Sequence, residues 1–104
     1  MLLEQATFLV PVVRDSNREK HELNKWASFE VFLYNQCGGY TKDANVKGIW
    51  KADDGECIRD ISRRYTVAYN PAIRVNPIPA IVDWIKREFD QQAVYVNYSK
   101  AEIR

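Results

Sequence analysis

The sequence predicts a ferredoxin-like α+β fold of the βαββαβ type, a four-stranded antiparallel sheet with two helices on one face. Three observations carry this. The segments run strand, long helix, strand, hairpin, strand, helix, strand and fill all 104 residues. The helical stretches show i, i+3, i+4, i+7 apolar spacing while the strands alternate. A chain of this length holds one core, so residues 1–104 are expected to form a single α+β domain.

The first strand is expected over Thr7 to Val13, with Phe8, Val10 and Val12 on one side and Leu9, Pro11 and Val13 on the other. Apolar residues on both sides predict burial on both faces, although helices cover only one face of such a sheet. Pro11 is awkward inside a central strand and suggests a bulge or an unpaired position. Asp15, Ser16 and Asn17 offer helix-capping oxygens. A helix is then expected from about Glu19 to Gln36, closed by Gly38-Gly39 as a left-handed cap.

A second strand is expected over Asn45 to Ala52, and Asp54-Gly55 favours a tight hairpin into a third strand from Cys57 to Tyr69. The alternation of that third strand shifts part-way, which predicts a bulge near Asp60 to Ser62. Pro77 and Pro79 open a second helix, where no intrahelical donor is needed, and Ile78, Ile81, Val82, Ile85 and Phe89 form its inward stripe. Gln92 to Tyr98 alternates as a final strand, leaving Ser99 to Arg104 as a polar tail.

Composition narrows the function. The chain is 46% hydrophobic, 12% aromatic and 28% charged, which suits a packed domain. Its 15 Lys and Arg against 14 Asp and Glu give a net charge of +1, short of the basic excess that drives binding to phosphate backbones, so no nucleic-acid partner is implied. Tyr65 and Tyr69 beside arginines bear only a superficial likeness to an RNA-recognition sheet, because RRYTVAY (Arg63 to Tyr69) lacks the glycines of that motif. Cys37 and Cys57 have no CxxC spacing and His21 is the single histidine, so neither a metal site nor any other cofactor is expected. Two reduced thiols, an acidic residue in Met1-Leu2-Leu3-Glu4-Gln5 and no membrane-length apolar run predict a cytoplasmic protein without a membrane partner.

One carboxylate breaks the pattern. Projection of the first helix places Leu23, Trp26, Ala27, Phe29, Val31, Leu33, Tyr34 and Cys37 on a wide apolar arc, with Glu30 near its centre. An ionised carboxylate directed at a core must be paired, hydrogen-bonded, protonated or open to a pocket. Two readings stay open. Glu30 is a structural acid satisfied by a tyrosine, an arginine or an indole, or it is a ligand-recognising or proton-transferring group with its pKa raised by desolvation. The candidate ligand-binding residues are Trp26, Glu30, Trp50, Arg63 and Tyr65, around a pocket between the first helix and the central strands.

Arg59, Arg63 and Arg64 form a basic group on the third strand that could hold a ligand carboxylate or phosphate, or simply a solvated face. Gly38-Gly39-Tyr40-Thr41 follows a helix rather than preceding one, and so is a cap rather than a phosphate cradle. Acylphosphatases share the segment order, but Arg14-Asp15-Ser16-Asn17 lacks the glycine-rich anion loop of those enzymes. His21 and Phe32 project onto the polar side of the first helix and are expected at the surface.

The run Trp26-x-x-Phe29-Glu30-x-x-Leu33, with Gly38-Gly39-x-Thr41, Gly48-x-Trp50 and Gln92-x-Val94, resembles a pattern in small uncharacterised bacterial proteins, some carried on mobile elements. The resemblance implies a compact α+β fold and brings no assigned activity or catalytic residue. The apolar first strand, with Tyr95 and either Trp50 or Tyr65 on the open face, predicts a homodimer packed through that sheet face. Three functions are compatible with these residues: a small-molecule or partner-binding domain, a cofactor-free enzyme using Glu30 as general acid/base, and a purely structural interaction protein.

Overall fold

A computed structural model describes residues 1–104. The elements are β1 (Leu2–Pro11), α1 (Leu23–Cys37), β2 (Thr41–Lys51), β3 (Cys57–Tyr69), α2 (Ile78–Glu88) and β4 (Tyr95–Glu102). The four strands form one antiparallel sheet in the order β2-β3-β1-β4, which is the ferredoxin-like topology.

Alternation builds the core. Ala6, Phe8 and Val10 of β1 and Tyr65, Val67 and Tyr69 of β3 point to the helix side, where all are buried. Trp26, Phe29, Leu33 and Cys37 of α1 meet them along the i, i+3, i+7, i+11 line, and Ile78, Ile81 and Ile85 of α2 with Phe89 complete the layer. Asn76 Oδ1 accepts a 2.9 Å hydrogen bond from the Ile78 N–H at the start of α2. Gly38 ends α1 in the left-handed region at φ 84°, its N–H donating to the Tyr34 carbonyl at 2.8 Å. A β-carbon there would also stand 3.2 Å from the Arg74 guanidinium.

Several boundaries move for identifiable reasons. The first helix begins at Leu23, four residues later than the capping oxygens suggest, because those oxygens serve another purpose. Asp15 Oδ2 accepts from the Gln92 N–H at 2.8 Å, and the Ser16 N–H and hydroxyl both donate to Asp90, so the loop after β1 is tied to the end of α2. The cap residue itself, Glu22, makes no side-chain capping bond. The second strand starts at Thr41 rather than Asn45, and the irregularity lies on it, between Asp43 and Val46, not on β3. Asn45 takes φ 60° there, a turn-forming residue tolerating the left-handed region. The fourth strand runs to Glu102, so the expected polar tail is largely strand. Ladder bonds to β1 from Leu2↔Glu102 onward hold it, and Gln5 Nε2 donates to Ser99 Oγ at 3.0 Å.

The first strand is buried on one face only. Phe8 and Val10 are fully buried, whereas Leu9, Pro11 and Val13 are half-buried. Pro11 stands at the strand's end, where its missing donor breaks no ladder. His21 is buried, not solvated. It lies before the helix starts, so a helical projection misplaces it. Its Nε2 donates to the Pro11 carbonyl at 3.1 Å, its ring meets Trp26 and Phe89 edge-on, and burial lowers its pKa. Phe32 is likewise half-buried, stacked on Trp84 at a centroid distance of 5.7 Å.

Beyond the Pro11↔Ser62 pair, β2 and β3 have no third strand beside them. Lys47–Lys51 and Cys57–Ile61 form a ladder only with each other, apart from one bond from the Val12 N–H to the Ile61 carbonyl, and project as a two-stranded arm, which closes in a turn with Gly55 at φ 88°. This arm stretches the domain to 45 × 28 × 21 Å. It leaves Ile49, Trp50, Ile58 and Ile61 exposed.

Candidate functional site

Four of the five sequence-derived candidates meet at the edge of the helix–sheet interface. Glu30 projects from α1 toward β2 and β3, its side chain 18% exposed. Tyr65 Oη donates to Glu30 Oε2 at 2.7 Å, Lys42 Nζ to the same oxygen at 3.0 Å, and Tyr40 Oη to Oε1 at 3.2 Å. Arg63 Nη1 stands 3.9 Å away, and its guanidinium lies 4.2 Å above the Trp26 ring. Trp26 in turn stacks toward Tyr65 at 6.4 Å.

The electrostatics run opposite to the raised pKa that goes with the ligand-recognising or proton-transferring reading of Glu30. Burial pushes its pKa up, but the hydrogen bonds from Tyr65, Lys42 and Tyr40 outweigh burial, and the carboxyl lies below its ordinary value of 4.5. Burial and donation to Glu30 drive the Tyr65 phenol well upward, so it stays protonated as a donor.

Trp50 does not join this group. It stands on the opposite sheet face, half exposed, with its indole N–H donating to Asp60 Oδ2 at 2.8 Å. Gly48 makes that bond possible, because a β-carbon would fall 2.5 Å from Asp60 Oδ1 and 2.9 Å from Trp50 Nε1. Of the three arginines of β3, alternation sets Arg64 apart, while Arg63 and Arg59 share the helix side at different heights. Arg63 faces α1, Arg64 faces outward and bonds Asp43 at 3.0 Å, and Arg59 sits on the arm.

Two side chains of this group escape the sequence reading, Tyr40 and Lys42. Their signal is register: with β2 starting at Thr41, Lys42 lies directly opposite Tyr65. A strand begun at Asn45 hides that pair.

The space between α1 and the sheet is filled by aromatic rings, Phe29 meeting Tyr65 at 5.0 Å and Trp26 meeting Phe89 at 4.6 Å. The opening beside Glu30 lies instead on the outer flank of α1. It is a pocket of about 330 Å³ bounded by Ala27, Glu30, Val31, Tyr34 and Tyr40. On the open sheet face, Trp50 and Tyr95 wall a second cleft of about 440 Å³, with Leu9 and Pro11 in its floor. No cluster of three or more His, Cys, Asp or Glu side chains is placed to hold a metal ion, and no helix is long and apolar enough to cross a membrane.

The chain is a ferredoxin-like α+β domain, and solved structures share its fold. The divalent cation tolerance protein CutA1 from Thermus thermophilus superposes with a TM-score of 0.63 at 11% identity, over 93% of this chain and 82% of that one. CutA1 from Ehrlichia chaffeensis gives 0.65 at 6% identity, over 98% and 83%. A phage SAM lyase in complex with S-methyl-5'-thioadenosine gives 0.61 at 10% identity, over 93% and 80%. At these identities the likeness is one of fold alone. No protein-family model and no curated protein sequence matches the chain.

Proposed function

We propose that this chain is a non-catalytic, cytoplasmic binding domain that works as a homodimer and takes a small molecule at the Glu30 pocket. The observation that carries the reading is a carboxylate held ionised by three donors beside the exposed side chains of Val31 and Tyr34. Such a group is a fixed acceptor. A ligand with an apolar body and one N–H or O–H donor would lay its body on Val31, Tyr34 and Tyr40 and direct its donor at Glu30. Trp26, Arg63 and Tyr65 would act behind the pocket, holding the carboxylate in place.

The enzymatic alternative, with Glu30 as general acid/base, has weaker support. A general acid needs a proton near neutral pH and a general base needs a pKa raised toward it, whereas Glu30 lies below its ordinary value. A thermal-shift screen over a metabolite library separates the readings. A binder should raise the unfolding midpoint of the wild type and leave Glu30→Gln unmoved. Turnover of any such binder that ceases in Glu30→Gln would favour the enzyme.

The open sheet face supports the homodimer. Trp50 and Tyr95 are each about half exposed, at 50% and 51%, around a floor that includes Leu9 and Pro11. A two-fold axis through this face would cover both aromatics of each copy at once. Light scattering at tens of micromolar is expected to report a dimer. Leu9→Arg, which places a second cation directly opposite Arg64, should convert it to monomer. A monomeric wild type would refute the arrangement.

A further inference from the structure

On the helix side of the arm lies a further cleft, separate from the Glu30 pocket and sharing Lys47, Gly48 and Asp60 with the cleft on the open face. Its volume is about 500 Å³. One wall is the arm, where Lys47 pairs across the strands with Ile61 and Ile49 with Arg59, so cations and apolar side chains alternate on a single face. The other wall is the segment after β1, contributing Val12, Val13, Arg18 and Lys20. The two walls are fixed to each other by the Val12 N–H, which donates to the Ile61 carbonyl at 3.0 Å, and the Val13↔Lys20 bridge folds the second wall back on itself.

The charge of this cleft is unbalanced. Arg18, Lys20, Lys47 and Arg59 all line it, and none of them forms a salt bridge or a side-chain hydrogen bond. None of the acids of the neighbouring segment lines the cleft: Glu22 holds Arg14 at 2.7 Å, Asp15 caps the Gln92 N–H, and Glu19 accepts from the Asn17 side-chain amide at 3.3 Å. Asp60 is the one carboxylate at the cleft, and it accepts the Trp50 indole N–H from the opposite sheet face. The cleft therefore carries a net excess of three positive charges among four apolar side chains, in a chain whose total is only +1.

We propose that this cleft binds a phosphorylated small molecule, with the phosphate between Lys47, Arg59 and the Arg18–Lys20 segment and an apolar body against Ile49, Ile61 and Val12. The charge count selects the class. A monocarboxylate leaves most of the excess uncompensated, whereas a phosphate monoester brings close to two charges and three acceptor oxygens that suit an arginine fork. The size agrees, because a cleft of about 500 Å³ falls in the range that encloses a metabolite rather than tracks a polymer. The near-neutral surface elsewhere offers no continuous basic stripe for a nucleic acid. Ile49, Arg59 and Ile61 lie on the face of the arm away from the open sheet face, whereas Lys47 lines both clefts.

The probes are naphthyl phosphate, inorganic phosphate and neutral naphthol, each titrated into the ¹⁵N-labelled full chain and followed by amide chemical shifts. Naphthyl phosphate is expected to move Val12, Val13, Lys20, Ile49 and Ile61 together, and more tightly than either partial probe, with affinity falling as salt is raised. The double variant Lys47→Gln, Arg59→Gln should weaken it by at least about tenfold, since each removes a charge-assisted contact. Both positions are exposed, and an unchanged amide spectrum away from the arm checks that the variant is folded. A second variant, Arg18→Gln with Lys20→Gln, tests the opposite wall and should show a comparable loss. Shifts that map to another surface, naphthol binding as tightly as its phosphate, or affinity unchanged in both double variants would overturn the assignment.

Discussion

Replacing Phe29 by alanine is expected to cost about 3–5 kcal/mol, because the site is fully enclosed and cannot collapse around the missing ring. Phe29 is completely buried and meets three other aromatics, Tyr65 at 5.0 Å, Trp84 at 5.1 Å and Phe89 at 5.2 Å. Those partners belong to β3, α2 and the residue that ends α2, so one ring joins α1 to both other parts of the core. Only 18 of 104 residues are buried, so there is little other core to absorb the loss. A domain of this size holds about 5–15 kcal/mol in total. At roughly 4–8 °C per kcal/mol, the unfolding midpoint should fall by roughly 12–40 °C. Phe32→Ala supplies the contrast: half-buried and stacked only on Trp84, it should cost about 1–2 kcal/mol. Equal losses at the two positions, measured by denaturant unfolding, would show that the aromatic cluster is not the centre of the core.

The elements that the sequence displays most clearly are those whose side chains do one thing. The third strand is bounded at Cys57 and Tyr69 as its alternation implies, and α2 follows its isoleucine spacing. What stays hidden depends on partners distant in the chain. Ser99 to Glu102 lack a strand-like composition, but β1 supplies a ladder, and backbone bonds are indifferent to side-chain polarity. His21 and the residues around it look like the first turn of a helix until Asp15 and Ser16 are diverted to Asp90 and Gln92. The exposed Leu23, Val31 and Tyr34 are apolar by type yet face outward, because the sheet accepts only a stripe of α1 one residue wide at each turn. Glu30 lies at the margin of that stripe, where a tyrosine hydroxyl, an ammonium and a guanidinium can reach it. The direction of its pKa was therefore illegible in the helix alone, since two of its three hydrogen-bond partners, Tyr40 and Lys42, follow α1 in a segment that the sequence reads as loop.

Tyr65→Phe should cost about 1.5–3 kcal/mol at neutral pH, the range for a hydrogen bond to a charged group, while leaving the ring packing intact. The phenol is fully buried and donates to Glu30 at 2.7 Å, so phenylalanine removes one donor from a carboxylate that is itself largely withdrawn from water. The loss is expected to depend on pH in a definite direction. Glu30 titrates below 4.5 in the folded chain, so its ionised form is the one folding favours. That contribution is complete above the unfolded value and disappears as pH falls through the folded value. In Tyr65→Phe the folded pKa rises, so the contribution shrinks and its loss on acidification is complete at a higher pH. The difference in stability between wild type and variant should therefore be largest near neutrality and narrow once Glu30 is protonated in both. A double-mutant cycle with Glu30→Gln completes the argument, because two groups in contact should couple by about 1 kcal/mol or more. A stability difference that stays constant across the acid range, or a cycle that is additive, would mean that the hydroxyl stabilises the core without acting on the carboxylate.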